Sequence, residues 1–473
     1  MFRWYMNSAV CFVFLSDLPE ESIFNGAFPK CEWLRRGWTL QELVASKRVE
    51  FYDSAWEIRG STPELNAFVS RLTGIDEEVL HDSEARFKIP VARRMAWASK
   101  RKTTRIEDEA YCLLGIFDVN MPLIYGEGDK AFMRLQEEIA KATTDLSLLA
   151  WEDPYSELEY RGVFASSPKE FANTSNQLQS LTKDPIPGKE FSITNRGIRI
   201  EATLTAYVSR VKDYILYLGF IESEYHKFPN PIGIYLSKMS DGRYVRSYPR
   251  RFLRSGDRQW EHRTYYNSTI YMSRILRAHE YESIENRFRG AISYELPHSR
   301  IITAAPQHLW DPARQLFFNP DPKRGTTICF LLRSSGRQFK SSRFLITCET
   351  ISPYWKQMKP SCAVWLEDHE LFKRFVHVAD TTGSLPDHIA TKHLLDQSFA
   401  MSINSSCYGY QEDAEFAHAI RARMATDMLQ NGPHYKLILD SESYQLSDLP
   451  KERRTMLRSP NSDLISEIFD SDR

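Results

Sequence analysis

WLRRGWTLQELVAS, residues Trp33 to Ser46, follows the apolar run AVCFVFLSDL, residues Ala9 to Leu18. The run is β-branched and aromatic and is bounded by polar residues, the pattern of an interior strand. After a loop, Leu40, Leu43 and Val44 recur at helical spacing, so the stretch reads as strand, loop and short helix. Glu42 lies off that apolar stripe, close to Trp38 and Gln41 in sequence. A carboxylate beside an indole, at the mouth of an α/β sheet, can stabilise positive charge developing on a sugar. A solvated helix glutamate is the plainer reading of the spacing alone. RVEFYD (Arg48 to Asp53) predicts the next strand, which makes Val10 to Leu15 and Val49 to Tyr52 neighbours in a parallel pair.

Helical signals follow. In Thr62 to Ile75, Leu65, Phe68, Val69 and Leu72 form an amphipathic stripe that Gly74 should end. Pro90 sits where a helix begins, with Val91, Met95 and Ala98 continuing its apolar face. Thr103 to Leu114 carries Thr104 and Glu107 at the spacing of a capping box. Gly126-Glu127-Gly128 is too short and too acidic to cradle phosphate, and reads as an entry turn to a helix over Ala131 to Ala142.

Composition shifts near Trp151. From there to about Cys362, short aromatic and β-branched runs alternate with turn signals such as Asn195-Arg196-Gly197 and Ser240-Asp241-Gly242. This pattern predicts an antiparallel sandwich or barrel. Farther on, LFKRFVHVAD (Leu371 to Asp380) and YKLILDSESYQL (Tyr435 to Leu446) are readable as strands, and Ala414 to Gln430 as a helix with Phe416, Ile420, Met424 and Met428 on one side. The expected domains are therefore 1–54, the end of an α/β unit; 55–150, helical; 151–366, β-rich; 367–450, a mixed extension; and 451–473, a charged flexible tail.

The 61 basic and 62 acidic side chains nearly cancel, which argues against general nucleic-acid binding. Arg250, Arg251 and Arg254 form a local basic cluster, read as solvated surface. Seven cysteines are scattered with no C-x-x-C pair, and the histidines show no ligand spacing, so no metal site is expected. This usage suits a reducing compartment, and no apolar run approaches membrane-span length. A cytoplasmic protein is the expectation. No internal repeat is visible.

RGWTLQEL, the block RRMAWASKRKTTRIEDEAYCLLGIFDVNMPLIYGEGDKAFMRLQEEI (Arg93 to Ile139) and the opening MFRWYMNSAVCFVFLSDL resemble the heterokaryon-incompatibility (HET) domain proteins of filamentous fungi. All three blocks occur in the family's order. HET domains in turn resemble TIR domains, which are flavodoxin-like α/β modules, some of them able to cleave NAD. The fold class implied is α+β: a partial TIR-like unit, a helical segment and a mainly antiparallel β domain. The resemblance would make Glu42 the catalytic carboxylate, Trp38 its neighbour, and Ser16 and Asp17 the strand-end groups near the ribose. NAD would be the substrate, with no cofactor. The implied role is non-self recognition and incompatibility cell death, through self-association or association with other HET or TIR-like proteins.

The sequence also departs from the family. Motifs resembling SHTWG and W-D-x-x-C-I-D, which open the family's domain, do not occur here. A doubly wound sheet binds ligand at the carboxyl ends of its strands, and the first strands supply much of that crevice. The expectation is a chain that lacks those strands and catalytic competence with them. The alternatives are an NAD-cleaving hydrolase and an incomplete gene model of one.

Overall fold

A computed structural model describes the chain except residues 22, 174–180, 183–190, 208–213, 222–229, 254–262, 286–290, 297–298, 313–314, 319–325, 335–342, 351–360, 366–369, 383–405, 413–415, 430–431 and 446–473. The expected flexible tail 451–473 lies outside the described residues. The chain divides into two compact units, one of Met1–Ser237 with Tyr244–Leu276, the other of Lys238–Arg243 with Arg277–Arg473. The β-rich stretch 151–366 is therefore shared between them.

The first unit begins with helix α1 (Phe2–Asn7) and strand β1 (Cys11–Phe14). β1, expected as an interior strand, is buried on one face alone, with Cys11 and Val13 buried and Phe12 and Phe14 exposed. Two short helical turns and α2 (Phe24–Ala27) lead to α3 (Thr39–Ala45), whose Leu40, Leu43 and Val44 are buried as their spacing predicts. Strand β2 (Val49–Tyr52) then pairs with β1 in parallel, from Cys11 against Val49 to Phe14 against Tyr52. Strand β3 (Ile58–Ser61) joins the far side of β2 antiparallel, which leaves β1 as one edge of a three-stranded sheet.

The helical part holds α4 (Asn66–Thr73), α5 (Glu77–His81), α6 (Val91–Ala96), α7 (Asp108–Tyr111), α8 (Leu114–Phe117) and α9 (Lys130–Ala142). Gly74 ends α4 in the left-handed conformation, φ 74°, where glycine avoids the Cβ penalty. Of the single helix expected over Thr103 to Leu114 only α7 is helical, α8 starting at Leu114, and α7 has no side-chain cap. Of the expected pair, Thr104 with Glu107, the Glu107 carboxylate is engaged by a distant turn instead. A tertiary partner has replaced the local cap.

Strands β4 (Tyr160–Arg161), β5 (Leu181–Thr182), β6 (Phe191–Thr194), β7 (Gly197–Tyr207), β8 (Tyr214–Ile221), β9 (Asn230–Lys238), β10 (Tyr244–Ser247) and β11 (Arg263–Met272) make one eight-stranded sheet. Because β7 pairs with both β11 and β8, the run β7-β8-β9-β10-β11 closes on itself as a ring. In it β7–β8, β8–β9 and β11–β7 pair antiparallel and β10 pairs with β11 in parallel.

The second unit contains α10 (Ala278–Glu285) and strands β12 (Ile292–Glu295), β13 (Ser299–Ala305), β14 (Trp310–Asp311), β15 (Leu316–Phe317), β16 (Thr326–Ser334), β17 (Arg343–Thr350) and β18 (Ser361–Trp365). After them come α11 (Glu370–Thr382), β19 (Ser406–Glu412), β20 (Phe416–Leu429) and β21 (Gly432–Gln445). Two sheets result, ordered β14-β15-β12-β21-β20-β19 and β13-β16-β17-β18. Ile292, Phe317 and Leu437 of the first share a core with Ile328, Phe330 and Ile346 of the second. The other face of the second sheet packs Cys329, Leu331 and Leu345 against Phe372, Val376 and Ala379.

Two sequence expectations fail here. Leu371 to Asp380 is helical, inside α11, because Phe372, Val376 and Ala379 fall on one helical face that the sheet buries. Ala414 to Gln430 is not a helix, since β20 fills Phe416–Leu429 and pairs along its whole length with β21. Phe416, Ile420, Met424 and Met428 are spaced by four, and residues four apart share a face in a helix and in a strand alike. The long partner strand decides between the two. The architecture is α+β, with mixed and antiparallel sheets. Among the described residues no helix is long and apolar enough to cross a membrane.

Candidate functional site

Two polar side chains of RGWTLQEL, Thr39 and Gln41, hold backbone. Gly37 N–H donates to the Lys102 carbonyl at 2.9 Å, and a Cβ on Gly37 would fall 2.5 Å from Thr103 Cγ2. Thr39 Oγ1 lies 2.8 Å from the Arg36 carbonyl and 2.5 Å from that of Trp33, between which it shares its one proton. Gln41 Nε2 donates to the Cys112 carbonyl at 2.7 Å. The buried Arg101 guanidinium completes the joint, donating from Nη1 to the Arg36 carbonyl and to Thr39 Oγ1, both at 2.9 Å. Burial pulls this guanidinium down to about 10, while Cys112 and Glu42 oppose the shift. The first and second resemblance blocks are thus one hydrogen-bonded assembly.

Glu42 bonds side chains instead. Its half-buried carboxylate accepts at Oε2 from Trp33 Nε1 at 3.1 Å. The Tyr5 hydroxyl of α1 bonds the same carboxylate, and burial together with the Glu42 charge pushes that phenol up to about 12. Cys11, the first residue of β1, has its thiol raised by burial and in part by Glu42. The carboxylate therefore has two neutral donors as hydrogen-bond partners, with the Arg101 charge nearby.

The other candidate residues lie elsewhere. Ser16 and Asp17 are exposed just past the carboxyl end of β1, and Asp17 Oδ2 accepts the Glu32 N–H at 2.7 Å, holding the turn before Trp33. Asp17 also raises the Cys31 thiol, which burial chiefly pushes up to about 11. Glu42, by contrast, interacts with Cys11 at the amino end of the strand. Trp38 stands at the N-cap of α3, half-buried, and the indole bonded to Glu42 is that of Trp33. Trp33, Tyr5 and Arg101 were not legible as partners of Glu42. Trp33 opens the quoted motif, yet nothing in its spacing ranks it above Trp38, and Tyr5 carries no sequence signal at all.

The acidic turn is occupied by the chain itself. Gly126 (φ 98°) and Gly128 (φ 61°) present N–H groups to Glu107 Oε1 at 2.7 and 3.1 Å. These bonds and one from its own backbone hold the Glu107 carboxyl below its ordinary value. The turn admits α9, as its residues suggested, and Glu127 pairs with Arg134 and accepts from the Tyr111 hydroxyl. Among the described residues no group of three His, Cys, Asp or Glu side chains could hold a metal ion. Of the basic cluster, Arg250 bonds the Ser156 carbonyl and Arg251 lies 5.8 Å over the Tyr235 ring, while Arg254 is outside the described residues.

Residues 130–177, from α9 to just beyond β4, match the family model described as a domain of unknown function, DUF8212. Over part of its length the chain is similar to a protein of the heterokaryon-incompatibility type. It is 44% identical over 162 residues to the vegetative incompatibility protein HET-E-1 of Podospora anserina. That stretch is 33% of this chain and 12% of the relative, so the chain spans about an eighth of the relative's length. No solved structure matches it.

Proposed function

We propose that this chain acts in fungal vegetative incompatibility, the role named in its relative, by associating with copies of itself or with other HET-type proteins, and that it does not hydrolyse NAD by itself. The carrying observation is that the candidate carboxylates are taken up by the chain itself, Glu42 bonded by Tyr5 and Trp33 and Asp17 by the Glu32 N–H. A carboxylate that stabilises an oxocarbenium-like state needs positioned substrate and excluded water around it. Association is supported by the outer face of the three-stranded sheet, where Phe12 (62% exposed) and Trp56 (61% exposed) flank Phe14. Such a patch, beside an unpaired strand edge, suits a protein partner. The parallel pairing of β1 and β2, with α3 between them in sequence, supports the TIR-like reading of this unit. The scattered thiols favour action in the cytoplasm.

A second reading, an NAD-cleaving hydrolase, draws on the same carboxylate. Its donors are neutral, so its negative charge stays available to a developing cation. Nicotinamide release from NAD by the purified chain and by Glu42→Ala decides between them. Equal low rates are expected. Robust release abolished in the variant would make the chain an enzyme. Light scattering of the chain and of Phe12→Glu tests association, which the charged variant should weaken.

A further inference from the structure

Cys348 on β17 and Cys362 on β18 are direct partners in the antiparallel register of the second unit. Both side chains enter the core between that unit's two sheets, alongside Phe344, Ile346 and Ile328. Facing residues of an antiparallel pair have Cα atoms roughly 4.5 or 5.5 Å apart, and both spacings fall within the range a disulfide spans. In the structure the two residues are thiols. Cys329 is paired in register with Thr347 and faces the opposite side of the sheet, toward α11, so it cannot replace either partner.

We propose that Cys348 and Cys362 form a reversible oxidation site, closed to an intrachain disulfide by a hydroperoxide. β18 is the edge strand of its sheet, and Cys362 is its second residue, 8% exposed against 1% for Cys348. Local opening of an edge strand exposes Cys362 first. Its thiolate attacks the peroxide O–O bond, giving a sulfenic acid and, after protonation of the leaving oxygen, one alcohol, or one water where the oxidant is hydrogen peroxide. The Cys348 sulfur then displaces hydroxide from the sulfenic sulfur, and its thiol proton leaves with that hydroxide as water. Two thiols are oxidised by two electrons and one hydroperoxide is reduced. Burial and the neighbouring Cys362 raise the Cys348 thiol well above its ordinary value, so closure quickens with rising pH. The product ties the edge strand to β17.

The test treats the whole chain with hydrogen peroxide, quenches it with catalase, and alkylates the remaining thiols under denaturing conditions. Alkylatable cysteines should fall from seven to five, by loss of one pair from the seven in the chain. Peptide mass analysis should show one cross-link, Cys348 to Cys362, which dithiothreitol reverses. Oxidised chain should melt at a higher temperature than reduced chain, and Cys362→Ser should lose the shift. Two results overturn the site: both thiols still alkylated after treatment, or both carried to sulfinic acid without a link. The mass analysis needs only the original chain, so a variant that fails to fold leaves it intact.

Discussion

Trp33 Nε1 donates to Glu42 Oε2 at 3.1 Å, while the same indole packs edge-on against Phe51 of β2, ring centres 5.7 Å apart. One side chain thus ties the only motif carboxylate to the sheet core. Trp33→Phe keeps the ring contact and removes the donor. Loss of a bond to a charged, half-buried group should cost about 1–2 kcal/mol, read as a lower urea midpoint at unchanged slope.

The Tyr5 hydroxyl leads to a prediction about alkaline stability. Its folded value is raised, to about 12, so the native state favours the protonated phenol. The corresponding stability is fully present below the unfolded value near 10 and is lost as pH rises toward 12. Melting temperature against pH from 8 to 12 should therefore fall less steeply for Tyr5→Phe than for the original chain. Parallel curves would mean that Tyr5 is not coupled to Glu42.

Arg101 joins two sequence blocks through the Arg36 carbonyl and Thr39 Oγ1. Arg101→Met preserves much of the stem and leaves both acceptors without this donor. Breaking such a buried polar joint should cost about 3 kcal/mol, measured by guanidinium unfolding. A loss within experimental scatter would show that the stem alone holds the blocks together.

Apolar periodicity made the first unit legible where elements bury one face locally. Leu40, Leu43 and Val44 marked α3, and the unbroken apolar run ending at Leu15 marked β1, although that run hid the exposure of Phe12 and Phe14. Periodicity failed where a long-range partner decides. The β20 spacing of four fits two structures, and only the pairing with β21 selects the strand. Glu107 looked like a local cap because the glycine N–H groups it accepts lie 19 and 21 residues away. For the candidate site, Glu42 was visible as a carboxylate off the apolar stripe. Which indole meets it depends on how the loop before α3 folds, and that is set by Asp17 holding Glu32 and by Thr39 gathering two carbonyls.

Within the DUF8212 stretch, Gln136 of α9 forms a reciprocal pair with Ala165, its Nε2 donating to the carbonyl at 2.8 Å and its Oε1 accepting the N–H at 3.0 Å. Gln136 is fully buried. Gln136→Leu strands a buried main-chain donor and acceptor, each worth about 1–3 kcal/mol when left unpaired. The variant should unfold at clearly lower denaturant, and amide exchange at Ala165 should accelerate more than at distant strands. Unchanged exchange there would mean that water replaces the side chain.

Glu107 sets the acid limb of stability for the resemblance blocks. Its own backbone N–H, then those of Gly126 and Gly128, bond the carboxylate and depress its folded value below the unfolded one. A depressed carboxyl stabilises the native state above the unfolded value, near 4.3, and the contribution disappears as pH falls through the folded value. Glu107→Gln keeps an acceptor oxygen but cannot titrate. Its stability should be lower than that of the original chain at pH 7 and should converge with it as pH drops below about 4. The check is urea unfolding at a series of pH values from 7 downward. A constant gap across that range would assign the loss to shape alone and remove Glu107 from the acid response.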